Sequence, residues 1–133
     1  MTGTDERQQR LDAWLALQDP DPDFAGTVVL PMLTGSMAPR IPVGARLLIA
    51  AARRTPFGVG HVVVFVRGDK LVAHRLILAL GRGPDARFVE KGDWNPAAGL
   101  VRRRDIRGVV TGYIPAGPAD AAPIAVGRSR AAA

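Results

Sequence analysis

The chain has 133 residues, 47% of them hydrophobic, with fifteen glycines and eleven prolines, which is enough for one folded, turn-rich domain and too little for two. It has no cysteine and only two histidines, His61 and His74, which excludes disulfides, thiolate metal sites and histidine-rich metal centres, so neither metal nor cofactor is expected. The net charge of +6 is nearly all arginine, and the densest run, Arg102-Arg103-Arg104, has no interleaved aromatics, so a solvated basic edge is expected rather than a nucleic-acid groove.

Residues 4–18, TDERQQRLDAWLALQ, read as a short helix. Thr4 can cap it, Asp5 and Glu6 suit the positive end of its dipole, and Leu11, Trp14 and Leu15 form an apolar stripe. The acidic, proline-rich DPDPD at 19–23 then ends it, so residues 1–26 are expected to be a helix and hinge. No stretch approaches the twenty or so apolar residues of a membrane span, and Asp5, Glu6, Arg7, Arg10 and Asp12 break up any secretory leader. A soluble cytoplasmic protein without a transmembrane anchor is expected.

From residue 27 the period changes. TVVLPML (27–33), RLLIAA (46–51), HVVVFVR (61–67), LVAHRLILAL (71–80), ARFVEK (86–91) and DIRGVVTGYI (105–114) are short, aliphatic or β-branched, and bounded by turn signals. RGDK at 67–70 reads as a tight hairpin turn. Six short strands without intervening helices predict a mainly β, compact antiparallel domain over 27–114. The tail, 115–133, is rich in Ala, Pro and Gly and is expected to be flexible.

Between the first two strands lies TGSMAPRIPVG, residues 34–44, holding one of two serines in the chain. Its glycines and prolines are loop punctuation, and a turn serine is ordinary. A nucleophile on a strand-to-loop bend is the other reading, and it needs a base. The candidates are His61, His74, Lys70 and Lys91. Lys70 falls in a hairpin turn and Lys91 ends a strand. His74 lies mid-strand, on the face of Val72, Leu76 and Leu78. An imidazole there is more often a hydrogen-bonded core residue than a general base, and the residues alone leave both readings open.

Five blocks stand in order over roughly residues 30–114: GSMAPRIPVGARLLI, GVGHVVVFV, LVAHRLI, FVEKGDWN and DIRGVVTGY. In order and spacing they resemble the catalytic domain of the type I signal peptidase superfamily, which is allied in fold with the C-terminal self-cleaving domains of SOS-type repressors. The resemblance implies that Ser36 is the nucleophile and His74 the base. Histidine followed by arginine, as in AHRL, is similar to the archaeal and endoplasmic-reticulum type rather than the lysine type. It further implies an oxyanion hole of the Thr34 hydroxyl and the Ser36 N–H, an orienting role for Asp93 of the KGD block, and Met37 and Pro39 at the substrate. This chain departs from the pattern in WNPAAGLV, which has no acid between Asp93 and Asp105, and in Trp94, where a small polar residue is usual.

The expected activity is that of a soluble serine endopeptidase acting on a peptide or protein precursor through a Ser36–His74 dyad and an acyl-enzyme. The alternative is a catalytically silent relative that binds a peptide or partner in the same groove. A self-cleaving regulatory domain ranks behind both, because the strand lysine is missing and residues 1–26 are too short for a helix-turn-helix unit.

Overall fold

The computed structural model describes residues 7, 8, 11, 12, 15, 17, 27–31, 35–38, 40–53, 55–117 and 121–128. Among the described residues, eight strands form one antiparallel sheet: β1 (Thr27–Pro31), β2 (Arg46–Ala51), β3 (Val62–Arg67), β4 (Lys70–Leu80), β5 (Arg87–Lys91), β6 (Ala98–Arg102), β7 (Ile106–Ile114) and β8 (Ile124–Ala125). Their spatial order is β1-β2-β7-β3-β4-β5-β6, with β8 added to β7. The expected mainly β, antiparallel architecture is therefore what the chain adopts.

Alternation in the strands explains the layering. In β2, Leu47, Ile49 and Ala51 face inward and the residues between them are half-buried, the two-residue period of a strand covered on one side. The β3 sequence VVVF is buried at four consecutive positions, so this strand is covered on both faces. Val62 and Val64 enter one core with Leu30, Met37, Ile41, Leu47, Ile49 and Val110. Val63 and Phe65 enter a second core with Leu76, Phe88, Val101 and Ile106. The strand thus separates two apolar clusters, and the side chains that matter below sit at the edge of the second.

Three features differ from expectation. Strand β6 falls in GLVR, which looks like loop because of Gly99 and its polar flanks, yet it pairs in register with β5 from Lys91↔Ala98 to Arg87↔Arg102. Part of the expected flexible tail is ordered: β8 pairs with β7 at Gly112↔Ala125 and Tyr113↔Ile124, and Arg128 Nε donates to the Val59 carbonyl at 2.6 Å. Near the N-terminus, residues 7, 8, 11, 12, 15 and 17 are helical. The apolar stripe is not the buried surface there: Leu11 is 49% and Leu15 61% exposed, whereas Leu17 is buried in the first core. Trp14 lies outside the described residues.

Candidate active site

The serine sits in a turn after β1. Ala38 N–H donates to the Gly35 carbonyl at 3.0 Å and Ile41 N–H to the Met37 carbonyl at 2.9 Å, so Ser36 and Met37 occupy the middle of the bend. Met37 is fully buried in the first core. Its side chain cannot line a substrate groove, contrary to expectation; an unbranched apolar chain filling the core instead pins the turn in place. Ser36, half-buried, stands at the surface of that anchor. Thr34 and Pro39, expected at the oxyanion hole and at the substrate, lie outside the described residues.

The histidine arrives from β4, where it is directly opposite Val63 of β3. Its ring meets Phe65 edge-on, with centroids 6.1 Å apart. The side chain is 12% exposed. The apolar face read from the sequence holds for Val72 and Leu76, which join the second core. It fails for Leu78, which is 52% exposed because the β4–β5 register shifts between Leu76 and Leu78.

The two side chains converge on Gly92, the first residue past β5. A methyl group placed there would lie 3.1 Å from Ser36 Cβ, 3.1 Å from His74 Nε2 and 2.6 Å from the Ser36 carbonyl oxygen. The serine Cβ and the imidazole Nε2 are therefore separated by no more than twice 3.1 Å. No side chain other than hydrogen fits at position 92 without displacing one of them. The neighbouring Trp94 N–H donates to the Ser36 carbonyl at 2.9 Å, so the serine turn is tied by its own backbone to the segment after β5. The Trp94 ring itself is 74% exposed.

The acid beside the histidine is not the expected one. Asp93 accepts from Arg75 Nε and Nη2, both at 3.0 Å, and both its oxygens are taken up by that fork. Arg75 is 3% exposed and also donates to the Gly60 carbonyl at 2.8 Å. Asp93 is thus a clamp on the 92–94 segment. The imidazole is held by Glu90 instead, whose Oε2 lies 2.6 Å from His74 Nδ1. The strand period explains the exchange. Glu90 pairs with Leu76, and His74 is two residues before Leu76, so the pleat makes the two diagonal neighbours on one face. Asp93 lies beyond the strand, where that period no longer applies.

Glu90 went unremarked in the sequence, although a signal was present. In RFVEK the inward set is Phe88 and Glu90, so a charged residue follows the core phenylalanine at a two-residue step and needs a partner. Of the other candidates, Lys91 Nζ donates to the Gly92 carbonyl at 3.2 Å. His61 uses Nδ1 on its own turn, 3.0 Å from Gly58 N. The Arg102–Arg104 run sits at the far end of β6, away from Gly92. Arg103 there lies 5.2 Å from the ring centres of both Phe57 and Phe88, so the aromatics missing from the local sequence come from elsewhere in the chain.

A mainly antiparallel β domain is the fold that the resemblance of the five sequence blocks implies. Comparison with known proteins bears out a signal-peptidase-like relationship. No family model matches, but the chain is 34% identical over 99 residues to the signal peptidase complex catalytic subunit SEC11 of Chaetomium globosum and to that of Sclerotinia sclerotiorum. It is 33% identical over 101 residues to the Pyricularia oryzae subunit. Each alignment takes in 65% of this chain, and the chain spans 58% of the length of these relatives. They overturn the expectation of a cytoplasmic protein, because they are subunits of the signal peptidase complex. Among the described residues, no helix is long and apolar enough to cross a membrane.

Proposed function

We propose that the chain is a serine endopeptidase that cleaves a peptide or protein precursor, with Ser36 as nucleophile and His74 as general base. The observation that supports this is the convergence of Ser36 Cβ and His74 Nε2 on Gly92, close enough for an imidazole nitrogen and a serine hydroxyl to act together. Nδ1 is engaged by a carboxylate, an acceptor only, so in the neutral imidazole Nδ1 carries the hydrogen and Nε2 presents its lone pair.

In the first half-reaction Ser36 Oγ bonds to the scissile carbonyl carbon as His74 Nε2 takes the hydroxyl proton. The oxyanion is received by the Ser36 N–H and the Thr34 hydroxyl. Collapse breaks the C–N bond, and His74 returns the proton to the leaving amine. Water then attacks the acyl-serine with the same imidazole as base, releasing the acid. As its relatives are catalytic subunits of a complex, we also assign this chain protein partners rather than solitary action.

The test is acylation by N-acetyl-alanine p-nitrophenyl ester, with the modified residue located by mass spectrometry of tryptic peptides. A single adduct on Ser36, absent from Ser36→Ala and His74→Gln, is expected. An unmodified Ser36 in the acid-quenched protein, with p-nitrophenolate released no faster than by Ser36→Ala, would overturn the reading and leave a silent binding domain.

A further inference from the structure

We infer that Glu90 is the residue that positions His74, within a three-member chain running from Arg67 through Glu90 to the imidazole, and that Asp93 has no part in it. The inference rests on the Ser36–His74 reading for its consequence in catalysis, but the chain of contacts stands by itself.

Glu90 is 2% exposed, so its charge must be met inside the protein. Its two oxygens are used separately. Oε2 faces His74 Nδ1 at 2.6 Å, a short, charge-assisted contact. Oε1 accepts from Arg67 Nη1 at 3.2 Å. Arg67, at the end of β3, is fixed in turn by Nη2 donating to the Leu100 carbonyl at 3.0 Å and by packing over the Phe65 ring, 4.9 Å from its centre. The guanidinium is half-exposed, 48%, so it brings the counter-charge to the carboxylate without itself being taken out of water.

The space for this carboxylate is made by β6. Gly99 is directly opposite Glu90 in the ladder, and a Cβ on Gly99 would overlap Glu90 Oε1. The glycine that disguises β6 as loop in the sequence is therefore the slot into which Oε1 fits. Placement, counter-charge and cavity all serve one geometry, with the ring plane set by Glu90 on one side and Nε2 aimed at Gly92 and Ser36 on the other. A carboxylate so placed fixes the tautomer and stabilises the imidazolium formed when Nε2 takes a proton.

The primary experiment uses the unmodified chain, labelled with 15N-histidine, in which only two imidazoles contribute. A low-field Nδ1–H proton is expected on His74, with nuclear Overhauser contacts to the Glu90 side-chain methylene protons and none to those of Asp93. Absence of that proton, or contacts to Asp93 instead, overturns the inference. Glu90→Gln and Gly99→Ala should each move or abolish the signal, the first by removing the charge and the second by evicting Oε1, whereas Asp93→Asn should keep it. Acylation of Ser36 should fall on the order of 10²–10⁴-fold in Glu90→Gln. If the resonance depends on Glu90 but no variant acylates, the peptidase reading fails while the positioning stands. If acylation is full in Glu90→Gln, the positioning fails while the peptidase stands.

Discussion

The two faces of β3 hold different things. One carries Val62 and Val64 into a cluster that is apolar throughout, including the Met37 that anchors the serine turn. The other carries Val63 and Phe65, and along its margin run Arg67, Glu90 and His74. The first face stabilises the domain. The second gives up part of that packing for a polar chain, to which the proposed reading assigns the chemistry. Stability and chemistry are thus divided across the thickness of one strand, and substitutions should separate them.

The largest effect is expected at Ser36. Ser36→Ala should abolish acylation while unfolding within about 0.5 kcal/mol of the unmodified chain, because a half-buried hydroxyl contributes little packing; chemical denaturation run beside the labelling assay checks both. Gly92→Ala is next on the chemical side. The methyl must push against the Ser36 carbonyl and His74 Nε2, and a displacement approaching an ångström should slow acylation by roughly 10²-fold. Met37→Ala acts from the opposite face. Emptying a fully buried position should remove about 2–4 kcal/mol of stability, seen as a lower denaturation midpoint. Where the variant remains folded, its Ser36 should react more slowly through a loosened turn but not fall silent; a stable Met37→Ala protein would break the division proposed between the faces.

Smaller effects sharpen it. Arg75→Met leaves Asp93 without its fork and should destabilise by roughly 2–3 kcal/mol, with the 92–94 amides exchanging with deuterium earlier than those of β3. Trp94→Ala should change stability by less than about 0.5 kcal/mol, since the ring is largely in water and only the backbone N–H holds Ser36.

What the chain discloses by itself follows the same division. The β2 strand is legible because Leu47, Ile49 and Ala51 obey a two-residue period that burial demands. His74 is legible as an inward residue for the same reason, and Ser36 by its place in a glycine- and proline-bounded bend. Asp93 was credited with the part of Glu90 because motif spacing records order along the chain, whereas the partner of an imidazole is set by cross-strand register. Gly99 misled for a related reason. A glycine weakens the local strand signal, and only the carboxylate opposite reveals why a side chain is excluded. Met37 reads as a substrate contact by its place beside Ser36, because nothing local distinguishes an apolar residue facing a groove from one folded beneath the turn.

The order of strands carries a consequence for the time at which this centre comes into being. In the sheet, β7 lies between the serine hairpin, β1 with β2, and the histidine hairpin, β3 with β4, although it is made after both. A growing polypeptide that has emerged as far as residue 100 already contains every group named here for the chemistry, yet has no strand to hold the two halves in one plane. Ile106–Ile114 is therefore the keystone: it is the last long strand to be made, and it occupies the place between two hairpins that both precede it in the chain.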